Sequence, residues 1–362
     1  MYKLRDKQKE LVDILIAEEF NKLLVYATPR VGKTLAMLDY IKKTKVKSVL
    51  WLANDARFRD IVFDSELKKF KLTTLRKKIT VICDDSLKHH VSKYDLIIFD
   101  ECHNITENIY KYLLQCNYDK LILMTGTIPN KRSKLELLDK LDVKLVFTYT
   151  NDEAVENNDV ADYNISIIHH SLNKDKNIRI DYAKNGKSFS FFTSEIGQYN
   201  SISNKIATTM GEAKKRASLF RMRLCNEFPS RIQFIKEYIQ RNNNKRFLIF
   251  VSSRAIAEQF PYYYHGTSSD VHYNAFANEK IPYLVLVEKG GTGHTYENLD
   301  GCLLASINSS NVITTQKIMR SVVFRNKYIA NIDILVNKNT IQVQWITEAL
   351  ADLNSAKIKH IM

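Results

Sequence analysis

Cysteine is too scarce and too scattered to organise this chain. The five that occur, Cys83, Cys102, Cys116, Cys225 and Cys302, form no CxxC pair. That argues against a disulfide framework and against a zinc site, and it suits a reducing compartment. Long apolar runs are missing too: none approaches the roughly 18–20 residues that a membrane-spanning helix needs. The opening Met-Tyr-Lys-Leu-Arg-Asp carries no apolar segment of the signal-peptide kind. The expectation is a cytoplasmic protein (host cytoplasm, if the source is viral) with no membrane partner. Acidic residues are in deficit as well, with 40 Asp and Glu against 54 Lys and Arg and a formal net charge of +14. Such an excess points either to a polyanionic partner, with nucleic acid the default, or to a basic surface kept for solubility. What is present is ordinary for a globular protein: 45% apolar and 26% charged residues over 362 positions. That is enough for a sizeable core and for about two domains.

One stretch stands out, Ala27-Thr28-Pro29-Arg30-Val31-Gly32-Lys33-Thr34. It follows an apolar run at 23–26 and opens an amphipathic run at 35–41, the pattern of strand, tight loop and helix. A phosphate at such a helix start meets free backbone N–H groups and the positive end of the helix dipole. Lys33 adds a point charge for the β- and γ-phosphates, and the Thr34 hydroxyl suits Mg²⁺. The usual first glycine of this loop is lacking; Ala27 stands in its place.

Residues 6–18 carry apolar side chains at helical spacing and read as a helix, with Gln8 in its first turn. After the loop, apolar strands (49–53, 79–83, 94–99, 120–124) alternate with helical stretches (56–70, 107–114), which means a parallel sheet covered on both faces. Ligands then gather at the carboxyl ends of the strands. At one such end stands Asp100-Glu101-Cys102-His103. Two adjacent carboxylates there cost desolvation unless a metal or water answers them. Asp100 can hold Mg²⁺ through water, and Glu101 can orient and deprotonate an attacking water. With Lys33 and Thr34 this makes the two-part constellation of an ATPase. The next strand exits through Thr125-Gly126-Thr127, either an ordinary strand end or a relay of nucleotide state.

The middle is less regular. The polar stretch 151–158 suggests a domain boundary. Strand-like runs at 178–183 and 187–192 flank Asn185-Gly186, a hairpin signal. Such a basic, aromatic hairpin is either a strand-separating pin or an edge hairpin of a second sheet. Residues 211–238 are helical in pattern and carry Lys214, Lys215, Arg216, Arg221, Arg223 and Arg231, a face turned either to phosphates or to solvent. Strands at 164–170, 245–251, 281–287, 302–306 and 332–336 then alternate with helices, the last two at 311–322 and 341–353, in a second α/β unit without its own phosphate loop.

The phosphate loop, Asp100-Glu101-Cys102-His103 and Thr125-Gly126-Thr127, in that order, resemble motifs I, II and III of superfamily 2 helicases. The second is similar to the form of the DExH group, including UvsW-type phage helicases and type III restriction translocases. The resemblance continues through Phe250-Val251-Ser252-Ser253-Arg254 (motif IV), Tyr264-His265-Gly266 after it, Gly291-Thr292-Gly293-His294 with Asn298-Leu299 (motif V) and Gln316-Lys317-Ile318-Met319-Arg320 (motif VI). It implies an α/β fold of two tandem RecA-like domains with an ATP cleft between them. The expected boundaries are 1–150 and 151–362, with an inserted β-hairpin and basic helix near 171–230. It implies ATP and Mg²⁺ as cofactors and nucleic acid as partner, DNA ahead of RNA, for a monomer or transient assembly. The implied nucleotide contacts are Arg5, Gln8, Thr28, Pro29, Arg30, Val31, Gly32, Lys33, Thr34 and Gly293, with Gln8 on the adenine. Thr34 and Asp100 would hold the metal, and Lys33, Glu101, Gln316 and Arg320 the chemistry. Nucleic acid is expected near 53–57 and motifs IV and V. Motif VI departs from its pattern: Met319 replaces the usual Gly and Val323 the usual second Arg, so either Arg325 substitutes or the arginine finger is weakened. The implied function is an ATP-dependent DNA helicase or translocase. Its rivals are an RNA helicase, a low-turnover nucleic-acid-binding switch and the motor subunit of a restriction complex.

Overall fold

A computed structural model describes residues 2–53, 56, 58–127, 132–184, 186–287, 299–308, 329–351 and 353–361. They fall into two units that divide between Ala161 and Asp162. In the first, β1 (Lys22–Ala27), β2 (Val49–Ala53), β3 (Ile79–Cys83), β4 (Lys93–Phe99), β5 (Asn117–Thr125) and β6 (Lys144–Tyr149) form one sheet in the order β3-β2-β4-β5-β1-β6. Every pairing is parallel. Helices α1 (Asp6–Ala17), α2 (Lys33–Lys43), α3 (Phe63–Lys69), α4 (Glu107–Gln115), α5 (Arg132–Lys140) and α6 (Asn151–Glu156) accompany it. Strand β2 is buried along its whole length, as a strand covered on both faces must be. The stretch read as one helix over 56–70 is split, a wide turn at Phe58–Val62 leading into α3.

The division comes later than the 150/151 boundary expected from the sequence. The acidic stretch past 150 is part of the first unit: α6 starts on a Thr150–Glu153 capping box, and Tyr149 OH donates to Asp159 at 2.8 Å.

The second unit holds β7 (Asp162–His170), β10 (Phe247–Val251), β11 (Tyr263–Tyr264), β12 (Tyr283–Val287), β13 (Gly301–Leu304), β14 (Ile329–Asn337) and β15 (Ile358–Ile361), all parallel, in the order β11-β12-β10-β13-β14-β7-β15. Between β7 and β10 lie a hairpin, β8 (Ile178–Lys184) and β9 (Lys187–Thr193), and helices α7 (Glu195–Thr208), α8 (Gly211–Glu227) and α9 (Pro229–Arg241). Helices α10 (Arg254–Ala257), α11 (Val271–Ala277) and α12 (Ile341–Leu350) follow. Among the described residues the hairpin is not the edge of the second sheet: β8 and β9 pair only with each other there, antiparallel. The helix read over 211–238 is two helices, because Pro229 at the start of α9 holds Phe228 extended (ψ 137°).

That break corrects the reading of Arg231 as part of a phosphate-facing surface. Arg231 is fully buried. Its Nε donates to Ala305 O at 2.9 Å, one terminal nitrogen to Asn337 Oδ1 at 3.1 Å, and the other to Leu335 O at 2.5 Å. Burial pushes its pKa down to about 9. Gln342 Oε1 accepts from Asn337 N at 3.0 Å, and its Nε2 donates to Asn226 Oδ1 at 2.9 Å. Asn226 Nδ2 donates to Ile307 O at 2.8 Å. These amides tie α8, α9 and α12 to the carboxyl ends of β13 and β14. Arg231→Leu fills the space but strands several buried acceptors at about 1–3 kcal/mol each. The expected loss is therefore about 3 kcal/mol or more of stability, read as a lower urea midpoint at unchanged m-value.

Candidate nucleotide site

Strand β1 delivers the phosphate loop at its carboxyl end. Thr28 N donates to Tyr149 O at 2.9 Å, which fixes the loop root on β6. Arg30 and Gly32 then take left-handed backbone angles, φ 72° and 82°. A residue with a Cβ at Arg30 bears a local strain of about 1–2 kcal/mol. At position 32 a Cβ would stand 2.2 Å from Gln8 Nε2, so any other residue must push the Gln8 amide aside as well as strain the backbone. Helix α2 starts at Lys33, whose Nζ donates to Ala27 O at 2.9 Å. The ammonium thus folds back over the loop from the helix start. Val31 and Thr28 are buried, and Pro29, Arg30 and Thr34 are half-buried.

The first turn of α1 braces this loop from outside. Gln8 Nε2 donates to Val31 O at 2.9 Å, and its Oε1 accepts from Arg5 N at the same distance. Arg5 sends one terminal nitrogen to Val31 O at 2.5 Å and the other to Asp159 O at 2.8 Å, with Asp159 Oδ1 at 3.1 Å. Both ends of the Gln8 amide are therefore engaged on protein groups, so it positions the phosphate loop here. Nothing in the sequence singles out Asp159, which lies just past the polar stretch 151–158; no local pattern marks a residue that acts through Arg5 from so far along the chain.

Strand β4 delivers the acidic pair. Asp100 N donates to Leu52 O and Glu101 N to Asp100 Oδ1, at 3.0 and 3.1 Å. Glu101 is left-handed at φ 54°, so strained non-glycine backbone occurs in both halves of the site. Burial and the neighbouring Glu101 push the Asp100 carboxyl well above the usual carboxylate range, with Lys33 pulling the other way. His103 is buried, and its Nδ1 lies 3.3 Å from Glu101 Oε2 and 3.0 Å from Thr125 Oγ1. Thr125 Oγ1 donates to Thr127 O at 2.7 Å, which leaves its lone pairs to accept and assigns the proton to Nδ1. Burial holds the imidazole pKa below its usual value, so the ring is neutral. Lys134 Nζ donates to His103 O at 2.6 Å.

Strand β5 lies between β4 and β1, so its exit meets both halves. A Cβ on Gly126 would come within 2.9 Å of Pro29 Cδ. The structure thus brings Arg5, Gln8, Thr28–Thr34, Asp100, Glu101 and Thr125–Thr127 to one end of one sheet. Gly293, Gln316, Met319, Arg320, Val323 and Arg325 lie outside the described residues, as do most of motif V and positions 54, 55 and 57. Motif IV ends β10 and starts α10, within the second unit.

These residues fit a magnesium nucleotide. The left-handed glycine at 32 admits close backbone approach, and the oxygen set of Thr34 and Asp100 suits a hard dication. A dication there also offsets the repulsion that raises the Asp100 pKa. Among the described residues no group of three or more His, Cys, Asp or Glu forms a separate metal cluster, and no helix is long and apolar enough to cross a membrane. Gly32→Ala is expected to cost at least about 1–2 kcal/mol for its backbone angle, plus displacement of Gln8. Gly186→Ala, at φ 74° with open space around its Cβ, isolates the backbone part; thermal melts of the two variants should differ accordingly.

Residues 54–130 match the family model described as type III restriction enzyme, res subunit. A curated relative, an uncharacterized killer plasmid pGKL-2 helicase of Kluyveromyces lactis, is 28% identical over 173 residues. That alignment covers 42% of this chain and 28% of the relative's length. Among solved structures, the Pyrococcus furiosus Hef helicase domain superposes with a TM-score of 0.53 at 13% identity, over 95% of this chain and 97% of that one. The ATP-dependent type ISP restriction-modification enzyme LlaBIII, bound to DNA, does so at 0.62 and 11%, over 99% and 31%. The two latter likenesses establish the shared fold, two RecA-like units built on parallel sheets. Over 54–130 the chain is thus similar to the Res-subunit family, and over 173 residues to a helicase of which it spans little more than a quarter.

Proposed function

We propose that this chain is an ATP-driven nucleic-acid translocase or helicase acting on DNA. The observation that carries the reading is the meeting of the phosphate loop, the acidic pair and the Thr125–Thr127 hydroxyls on three neighbouring strands. Bound Mg²⁺·ATP supplies the phosphoryl group whose transfer to water is the source of free energy. Lys33 and the amides at the start of α2 would hold the phosphates, and Thr34 and Asp100 the metal. Glu101, its carboxylate flanked by the Nδ1–H of His103, would orient and deprotonate water. His103 Nδ1 bonds Thr125 and stands 3.3 Å from Glu101 Oε2, so a shift of Glu101 on hydrolysis would be felt at the β5 exit through the imidazole. Arg320, with Gln316 and Arg325, belongs to the proposal through the motif VI resemblance alone. The nucleic-acid partner draws on the net charge of +14, and the preference for DNA on the DNA-bound restriction enzyme that shares the fold.

ATP turnover should be stimulated by nucleic acid and compared across single-stranded DNA, forked DNA and RNA of equal length. Stimulation by RNA alone would overturn the DNA assignment. Glu101→Gln and Lys33→Ala should each lower the stimulated rate by about 10² or more. Arg320→Ala should lower it by about 10³ if Arg320 is the finger. Full turnover in either Lys33→Ala or Glu101→Gln would sink the ATPase reading.

A further inference from the structure

The β8–β9 hairpin has no place in the nucleotide site, yet it is built with care at its root and left bare at its arm. Asn173 N donates to the buried Glu195 Oε2 at 2.8 Å, and Ile196 N to Asn173 O at 3.3 Å. Glu195 also accepts from Ser230 N at 2.8 Å and Ser230 Oγ at 2.6 Å, while Ser194 caps α7. The two feet of the hairpin are thereby fixed to each other and to α9.

Above that root, cross-strand pairs put Ile180 opposite Phe191 and Tyr182 opposite Phe189 on one face. Tyr182 stacks on Phe189 (centroids 5.5 Å, planes 23° apart) and meets Phe191 edge-on at 6.0 Å. These rings lie in no core: Tyr182 is 46%, Phe189 43% and Phe191 51% exposed, and Phe192, opposite Arg179 on the other face, 60%. A row of bare aromatics on a rooted arm is a cost in water unless a partner covers it. The surroundings say which partner. Lys174, Lys176 and Lys187 are exposed, and the one acid on the hairpin, Asp181, is occupied by Arg179 at 2.9 Å. Residues 171–228 hold eleven Lys and Arg against five Asp and Glu.

Flat π faces set among cations match a polyanion that also has π faces. A duplex hides those faces inside its stack, whereas a single strand offers them. We infer that the Tyr182–Phe189–Phe191 face of the β8–β9 hairpin is a stacking platform for unpaired bases of a nucleic-acid strand. This rests on the proposed nucleic-acid function and adds the form of substrate that the hairpin takes.

The probe is a thymidine oligonucleotide of about 16 nucleotides, the long end of single-strand site sizes, carrying one 2-aminopurine. A uridine strand, a blunt duplex and an abasic strand of the same length accompany it. The whole chain should quench the 2-aminopurine and bind the abasic strand about tenfold more weakly than the thymidine strand. Tyr182→Leu/Phe189→Leu keeps an apolar cross-strand pair but removes two rings. It should lose the quenching, bind the thymidine strand about as weakly as the abasic one, and bind duplex as before. Uridine binding that follows thymidine binding places the recognition on the bases rather than on the sugar. Unchanged single-strand affinity with quenching retained in the variant overturns the platform. So does an equal loss on duplex and single strand, or a change of oligomeric state in sedimentation, which would make the face a contact between copies. A whole chain that binds none of these nucleic acids overturns the proposed function itself, a result distinct from binding without base stacking.

Discussion

Parallel pairing of β4, β5 and β1 is the constraint on which the candidate site depends. Parallel strands end at the same edge, so three unrelated loops are delivered to one place without any contact having to be evolved between them first. The pairing of Leu23 with Ile122 and of Ile122 with Ile98 sets how far each loop stands above the sheet. Given that register, the acidic pair after Phe99, the hydroxyls after β5 and the phosphate loop after Ala27 come together. The strain at Arg30 and Glu101 is the local cost of turning the chain sharply at that edge. It is sustained because both turns are held from several sides, the first by Arg5 and Gln8 and the second by His103 and Lys134.

Within that frame polar groups are used to position other polar groups. Arg5 ties the Arg30 and Val31 carbonyls of the phosphate loop to Asp159. His103 is buried and neutral, bonded to Thr125 and set against Glu101. The second unit uses the same device on a larger scale, where the Arg231 guanidinium and three amides satisfy one another and the exposed ends of β13 and β14. A buried cation without a carboxylate is costly unless its donors are engaged, and Arg231 engages backbone and amide oxygens instead. The result is a fixed base beneath the basic insertion. From that base the hairpin extends with its aromatic face bare.

Much of this was legible in the sequence, and the reason differs by element. Strand β2 was readable to the residue because a strand buried on both faces is a continuous apolar run bounded by polar positions, and the edge strand β3 because its apolar, β-branched residues are just as sharply bounded. The phosphate loop and the acidic pair were readable because their chemistry needs adjacent residues. The hairpin turn was readable from Asn185-Gly186, but not its isolation, since pairing with a third strand depends on what lies beside it. Strand β15 was missed: Ile358–Ile361 is short and mostly exposed, and only the open edge of β7 makes it a strand. Pro229 broke a helix whose periodicity ran on past it, and the apolar spacing gave no sign that Arg231 turns inward.

The sequence by itself determined the elements, their alternation and the local chemistry of phosphate loop and acidic pair, because each is specified by near neighbours along the chain. Tertiary structure alone decided that Gln8 spends its amide on Val31, that Asp159 anchors Arg5, that Arg231 is core rather than surface and that four aromatic rings stand uncovered. Those outcomes depend on burial and on partners a hundred or more positions away in several cases, and no short-range pattern encodes which distant groups a side chain will meet.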